Sequence, residues 1–228
     1  RNNINYPSDT TKNIQKYVDY IKEHDVWLVA QISCLLDNKM ANNSTGLFLM
    51  TDAGLQYRDE TGTWMDPYNP DVRQYVIDMI EELYAMGFDE VVLADVIHPT
   101  LPENTVIQYT VPMSTEPSPS KVISSFAVTI ADHFKDRKEV LSIYVNSAYS
   151  LVKTDTATGQ SAPLFFKIFD RVYYNTDKYT FSFNQQDISR TLSAEESAKR
   201  FVPVVINYLP NDPATVSWVL IDQEEKNN

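Results

Sequence analysis

The 228-residue sequence is poor in cysteine, glycine and histidine, and each shortage narrows the kinds of site that it can build. Its single cysteine, Cys34, lies in an apolar run, so it supports neither a disulfide framework nor a cysteine-based metal site, and we expect an inert buried thiol. Its 5 glycines form no GxGxxG or P-loop pattern after a strand, which argues against nucleotide-binding folds. The histidines His24, His98 and His133 lack His-x-x-x-His spacing, so no metal site is expected.

Positive charge and long apolar runs are also scarce. Lys and Arg number 19 against 31 Asp and Glu, a formal net charge of −12, which argues against nucleic acid and anionic membranes as partners. No uninterrupted apolar run approaches the roughly 18 residues that span a bilayer, so no membrane span is expected. Hydrophobic residues make up 43% of the chain, enough for a sizeable core. A start at Arg1 rather than Met is expected of a mature or excised piece.

The clearest helix is predicted to begin at Asn69 and Pro70, a capping residue followed by a proline suited to the first helical position. Apolar residues then recur at helical spacing from Val72 to Leu83, and Gly87 is a good C-terminal stop. The nearly continuous apolar run Glu90–Val96 predicts a strand that is covered on both faces.

The same alternation recurs along the whole chain. Further helices are predicted over Thr11–Glu23, from Ser118-Pro119, over Pro163–Phe169 and from the Ser193–Glu196 capping box. In the first of these, Ile14, Tyr17, Val18 and Ile21 are expected to face inward. Further strands are predicted over Val26–Cys34, Val140–Val145, Arg171–Tyr174, Val202–Ile206 and Val216–Ile221. This order predicts an α/β fold with a parallel sheet, either a β/α barrel or a doubly wound sheet.

Two features of the connections bear on that choice. Long connections, 35–69 and 99–117, follow the first two predicted strands, where the functional loops of a barrel lie. The connection from Asn207 to Thr215 is shorter than the dozen or so residues of a parallel crossover, so the last two strands form either a hairpin or a trimmed part of a barrel.

The segments "VWLVAQISCLLDNKMA" and "WMDPYNPDVRQYVIDMIEELYAMGFDEVVLADVIHP" resemble the glycoside hydrolase domain family of bacterial, amylase-like β/α barrels. That family has a strand ending in Asp, a Trp-x-Asp-Pro-Tyr loop, a helix, and Gly-Phe-Asp-Glu opening the next strand. The matching residues are Asp37, Trp64, Asp66, Pro67, Tyr68, Gly87, Phe88, Asp89 and Glu90. The resemblance implies a TIM-barrel-like parallel sheet in a single domain over residues 1–228. It also implies a secreted or cell-surface bacterial protein that acts on a poly- or oligosaccharide without a cofactor.

The sequence departs from the family pattern in two places. Only about 25 residues precede Val26, so about six of the eight strands of a barrel are expected. Ala94 stands where the family has an Asp, and Ile97 where it has an Arg. Asp95 is one position away, and strand alternation would turn its side chain to the other face unless a bulge intervenes.

Glycoside hydrolysis usually needs two carboxylates that flank the scissile bond. Asp37 and Asp95, at predicted strand ends, are the candidate catalytic residues, with Asp222 a weaker one; the alternative for Asp37 and Asp95 is that they only cap their loops. The candidate substrate-binding residues are polar or aromatic and lie in the Trp64 loop or near strand ends: Trp64, Asp66, Tyr68, His98, Tyr144, Asn146, Tyr173 and Tyr174. Their alternative roles are structural, as loop anchors, turn formers and strand aromatics.

Three functions therefore remain open. The first is a glycoside hydrolase that uses paired carboxylates and water. The second is a degenerate barrel that binds glycan without cutting it, which the amide of Asn146 favours because a hydrolase would place an acid there. The third is a structural or interaction domain of a bacterial envelope protein. Two carboxylates within about 10 Å in an aromatic cleft would favour the enzyme.

Overall fold

The computed structural model describes residues 8–43, 46–110, 117–176, 186–206 and 219–221. The helices are α1 (Ser8–Lys22), α2 (Asn38–Ala41), α3 (Pro70–Met86), α4 (Pro119–Phe134), α5 (Ala148–Val152), α6 (Ala162–Ile168) and α7 (Ala194–Arg200). The strands are β1 (Val29–Ser33), β2 (Met50–Thr51), β3 (Glu90–Ala94), β4 (Ile107–Gln108), β5 (Val140–Val145), β6 (Arg171–Thr176), β7 (Phe201–Ile206) and β8 (Val219–Ile221).

Six of these strands form one sheet, in the order β1-β3-β5-β6-β7-β8, and every neighbouring pair is parallel. The prediction of an α/β, TIM-barrel-like parallel sheet with about six of eight strands is therefore confirmed. Across the described residues the barrel is incomplete. All the strands run in one direction, so their C-terminal ends meet at a single edge of the sheet.

The two faces of the sheet are covered differently. One face packs Val91, Leu93 and Ile143 against the apolar stripes of α3 and α4, which forms the main core. The opposite, inner face carries a smaller apolar cluster of Val92, Tyr173, Val202 and Val204, with Tyr144 packed against it. Side chains alternate between these faces along each strand, as parallel strands covered on both sides require.

Helix α3 shows why the predicted boundaries hold. The Asn69 side chain accepts a hydrogen bond from the Asp71 backbone N–H, Pro70 occupies the first turn, and Gly87 ends the helix in the left-handed conformation at φ 106°. Three local preferences, a cap, a proline and a left-handed glycine, thus act at the two ends of the same helix.

Helix α1 corrects part of the prediction. Of the residues expected to face inward, Val18 is buried, but Ile14 is 40% and Tyr17 70% exposed. The helix instead contacts the end of α3 through Gln15, whose side-chain amide donates to the Met86 carbonyl at 3.0 Å. The apolar stripe of α1 is therefore broader than the surface that covers it.

The last two strands settle the choice that their short connection left open. Strands β7 and β8 pair in parallel, so the hairpin alternative is wrong. Of the predicted strand Val216–Ile221, the structure describes Val219–Ile221 as β8, and residues 207–218 lie outside the described residues.

The two long connections fold together into a small unit at the C-terminal edge of the sheet, which we call the cap (described residues 36–69 and 101–110). Strands β2 and β4 pair antiparallel within it, and isolated bridges join Leu36 to Trp64 and Phe48 to Met65. Its own apolar cluster contains Leu49, Tyr57, Trp64 and Ile107. The sequence predicted these connections as functional loops and did not predict that they form one unit.

Candidate functional site

Asp95 lies directly after β3, at the C-terminal edge of the sheet. Its backbone is left-handed, with φ 55°. This conformation is uncommon for residues other than glycine, although Asp and Asn adopt it more often than most. The side chain is partly exposed, and no described residue hydrogen-bonds to its carboxylate. The thiol of Cys34 is close enough that Asp95 adds to the effect of burial, which raises the pKa of that thiol well above its usual value.

The left-handed turn at Asp95 changes the argument about which way its side chain faces. The alternation argument assumed a strand that continues to Val96, whereas β3 ends at Ala94. Asp95 therefore lies outside the pleated strand, and strict alternation no longer determines the direction of its side chain.

The end of β5 lies beside Asp95, because β3 and β5 are neighbours in the sheet. Adjacent strands are about 4.8 Å apart, so the residues that follow them lie within reach of one sugar ring. Tyr144 lies on the inner face here, and burial, with a smaller effect from Tyr174, raises its pKa to about 12, so the phenol stays protonated. Asn146 is exposed, and its backbone N–H and side-chain carbonyl are both held by the buried side chain of Gln160.

Asp37 has a different environment. One of its carboxylate oxygens accepts from the backbone N–H groups of Lys39 and Met40 at 2.9 and 2.8 Å, which makes Asp37 the N-cap of α2. The other oxygen accepts from the Tyr75 hydroxyl at 2.9 Å. Both oxygens thus serve the local structure, which is the capping alternative stated above.

Two substitutions separate these roles of Asp37. As an N-cap, Asp37→Asn should change stability by only a few tenths of a kcal/mol, whereas Asp37→Ala should cost about 1 kcal/mol, because asparagine caps as well as aspartate and alanine does not. Urea unfolding of both variants measures the difference. If Asp37 is catalytic, Asp37→Asn should instead lose glycan hydrolysis while its stability in urea stays close to that of the wild type.

Trp64 and Asp66 lie inside the cap. Trp64 is 3% exposed, and its indole N–H donates to Asp59 at 2.7 Å. Asp66 is fully buried: one oxygen accepts from the Tyr68 N–H, and the other accepts from the Thr110 N–H and hydroxyl at 2.6 and 2.7 Å. Asp66 therefore joins the two long connections to each other, which explains a buried carboxylate in this position.

Tyr68 and His98 meet through a third aromatic residue, Tyr109. The rings of Tyr68 and Tyr109 are in edge-to-face contact at 5.5 Å, and Nε2 of His98 lies 3.0 Å from the Tyr109 hydroxyl. His98 is 5% exposed, and its Nδ1 lies 2.8 Å from the Pro99 carbonyl. These contacts hold the segment after β3 against the cap.

Tyr173 and Tyr174 lie on opposite faces of β6. The Tyr173 hydroxyl donates to the buried Glu90 at 2.9 Å, and Glu90 also accepts from Arg171 at 2.6 Å, from Ser142 and from Trp27. Glu90 and Arg171 begin β3 and β6, so this network lies toward the end of the sheet opposite Asp95. Tyr174 packs on the helix side, against the main core.

The structure thus divides the predicted residues into three groups. The first group lies at or just after the C-terminal ends of two neighbouring strands and contains Asp95, Tyr144 and Asn146. The second belongs to the cap and its contacts and contains Asp37, Trp64, Asp66, Tyr68 and His98. The third, Tyr173 and Tyr174, lies along β6. Sequence analysis missed Gln160, because nothing in the "DTATGQ" loop indicates that this residue contacts two strands. It also missed the Glu90 network, which a carboxylate at the start of a buried strand could have indicated. Within the described ranges, no group of His, Cys, Asp or Glu side chains is arranged to hold a metal ion. Asp222 lies outside the described residues.

A family model gives the family of the chain, and solved structures give proteins of similar fold. A family model described as "Putative glycosyl hydrolase domain" matches residues 1–176. The glycoside hydrolase domain of PgaB (BpsB) from Bordetella bronchiseptica is similar, with 12% identity and a TM-score of 0.54, over 87% of this chain and 71% of that one. Ega3 from Aspergillus fumigatus, in complex with galactosamine, is 11% identical with a TM-score of 0.55, over 90% of this chain and 78% of that one.

A hypothetical protein from Ruminiclostridium thermocellum ATCC 27405 is 21% identical over 57% of this chain, with a TM-score of 0.48, and the match spans 64% of that protein's length. No curated protein matches the chain. None of the helices in the described ranges combines the length and the apolar character that crossing a membrane requires.

Proposed function

The chain belongs to the glycosyl hydrolase domain family, and from this premise we propose that the C-terminal edge of its sheet binds a poly- or oligosaccharide and hydrolyses it with Asp95 as a catalytic carboxylate. Asp95 is the observation that carries the proposal. It lies at the edge where TIM-barrel enzymes hold their active sites, in a strained conformation and with no hydrogen-bond partner among the described residues.

The neighbours of Asp95 suit a sugar. Tyr144 offers a protonated phenol and an aromatic face, and Asn146 offers an exposed amide side chain that can donate to and accept from hydroxyl groups. Tyr144 belongs to the strand that neighbours β3, and Asn146 follows it directly. We infer that these three side chains contact one sugar residue, with Asp95 at its reacting carbon or its leaving oxygen.

A second function, glycan binding without hydrolysis, is favoured by a specific observation. Hydrolysis needs a second carboxylate, and both oxygens of Asp37 and of Asp66 are already engaged in structural hydrogen bonds. If Asp37 or another carboxylate does not supply the second group, the same edge can still hold a glycan through Asp95, Tyr144 and Asn146. The two functions share the site and differ only in turnover.

Incubation with a panel of poly- and oligosaccharides tests the proposal, with bound glycan and newly formed reducing ends measured in parallel. The panel includes amino-sugar polymers, because Ega3 is similar in fold and its structure contains galactosamine. Release of reducing ends from at least one glycan is the expected result. Binding without release identifies the second function, and neither binding nor release across the panel would leave the structural-domain hypothesis in place.

We propose further that residues 1–228 form one domain and that it acts outside a bacterial cell, on the cell surface or secreted. The single continuous sheet supports one domain, because its strands run from β1 near the start to β8 near the end of the chain. A polysaccharide substrate supports the location. Limited proteolysis that cuts the chain into two separately stable halves would contradict the single domain.

A further inference from the structure

Gln160 is a fully buried polar side chain in the loop that follows β5. Its carbonyl oxygen accepts from the Asn146 backbone N–H at 2.8 Å. Its amide nitrogen lies 3.2 Å from the Val96 carbonyl and 3.0 Å from the Tyr144 carbonyl, and 3.1 Å from the Asn146 side-chain oxygen. One side chain therefore joins the end of β3 to the end of β5.

The same loop holds the segment after β3 at a second point. The His98 N–H donates to the Thr158 carbonyl at 2.8 Å, two residues before Gln160. Val96 and His98 are thus both anchored to residues 158–160, and Asp95 immediately precedes the anchored segment.

These contacts lie next to the left-handed backbone of Asp95. This conformation is unfavourable for residues other than glycine, less so for Asp than for most, so it persists where the surrounding structure maintains it. Without these contacts, the backbone at Asp95 would return to the extended conformation. That change would move the carboxylate away from its neighbours on β5. The anchor at the Val96 carbonyl lies one residue from the strained position.

We propose that Gln160 is a positioning residue, which maintains Asp95 in its left-handed conformation and fixes its distance from Tyr144 and Asn146. The role of this arrangement in glycan turnover rests on the proposed function, but the conformational role does not. Gln160 is fully buried, and it acts through the backbone groups of Val96, Tyr144 and Asn146 and through the Asn146 side chain.

Gln160→Met is the direct test, because methionine has a similar length and removes both hydrogen-bonding groups. We expect the Asp95 Cα and Cβ chemical shifts to move from left-handed toward extended values, and exchange of the Asn146 amide hydrogen to accelerate. If the wild type hydrolyses a glycan, kcat should fall by about 10²-fold with little change in KM, because misplacement of a reacting group by about 1 Å has that effect.

Gln160→Glu is the second variant, and it keeps the argument testable if Gln160→Met does not fold. Glutamate can still accept from the Asn146 N–H but cannot donate to the Val96 and Tyr144 carbonyls while it is ionised. We expect the Asp95 shifts to move in this variant too, with Asn146 exchange closer to that of the wild type.

Ser150→Ala is the matched control, since Ser150 is another buried polar residue of the same connection and its hydroxyl has no hydrogen-bond partner in the described structure. This variant should leave the Asp95 shifts unchanged. Wild-type Asp95 shifts in both Gln160 variants would overturn the proposal. A wild type that neither binds nor cuts any glycan would remove the proposed function alone, because the shifts and the amide exchange are measured without a ligand.

Discussion

Replacing Asp95 with asparagine is expected to lower the rate of glycan hydrolysis by at least about 10²-fold, the usual contribution of a positioned catalytic acid or base. Asparagine adopts the left-handed conformation as readily as aspartate does, so the backbone at φ 55° should be unchanged. The substitution therefore removes the charge and the proton of the carboxyl group without removing the turn that holds it. The rate of reducing-end release, together with the urea midpoint of unfolding, measures the effect.

Asp132→Asn is the matched control for this experiment. Asp132 is an exposed aspartate near the end of α4, where it pairs with Lys135. The end of α4 leads into the N-terminal end of β5, whereas the proposed site lies at the C-terminal end of that strand. Its substitution should leave hydrolysis unchanged. If Asp95→Asn retains the full rate, Asp95 is not catalytic. If the wild type only binds glycan, loss of a hydrogen bond to a charged group should weaken binding by about tenfold or more.

The parts of the fold that could be predicted from the sequence are those fixed by local preferences. Helix α3 has a capping asparagine, a first-turn proline and a terminal glycine, so both of its ends are set within a few residues of the chain. The exposed Tyr17 shows the limit of such patterns: an apolar stripe predicts a face that can be buried, and only the neighbouring elements decide how much of it is covered.

The glycoside hydrolase motif shows a similar division between position and role. Asp37, Asp66 and Glu90 were identified from the sequence, but each accepts a hydrogen bond from a residue far along the chain, namely Tyr75, Thr110 and Arg171 respectively. A motif identifies which residues are unusual, whereas the partners that engage a carboxylate decide whether it is available for chemistry. Asp37 and Asp95 were equal candidates in the sequence, and only the structure shows that Asp37 is engaged, whereas no described residue hydrogen-bonds to the Asp95 carboxylate.

The edge formed by Asp95, Tyr144 and Asn146 could be anticipated because the C-terminal ends of parallel strands must meet. The left-handed turn at Asp95 and its anchor at Gln160 could not, because 65 residues of chain separate these two positions. Their contact depends on how residues 146–160 fold back over the end of β3, which is a property of tertiary packing and leaves no periodic pattern in the sequence.

Gly159, next to Gln160, is expected to be the glycine least tolerant of alanine. It is left-handed, with φ 80°, and an added Cβ would overlap the Pro119 carbonyl oxygen and lie 2.7 Å from the Pro119 carbonyl carbon and 2.9 Å from Cγ1 of Ile123. The left-handed conformation costs an alanine about 1–2 kcal/mol, and forcing a methyl group into packed structure costs about 1–3 kcal/mol. The Pro119 atoms are backbone at the start of α4 and cannot rotate away. Gly159→Ala should therefore destabilise the protein by about 2–5 kcal/mol, which is about 4–20 °C in Tm for a chain of this length.

Two other glycines separate the backbone effect from the steric one. Gly54 is also left-handed, with φ 74°, but no atom of the described residues lies within 4 Å of an added Cβ there, so Gly54→Ala should show only the conformational cost of about 1–2 kcal/mol. Gly46 lacks the strained backbone, and no described residue lies close to an added Cβ there, so Gly46→Ala should be neutral or slightly stabilising. Urea unfolding should thus rank the three variants 159, 54, 46 in order of lost stability. Equal losses of stability at positions 159 and 54 would mean that α4 moves to accept the methyl group. The loop that carries Gly159 and Gln160 would then not need its close contact with α4 to stay over the end of β3.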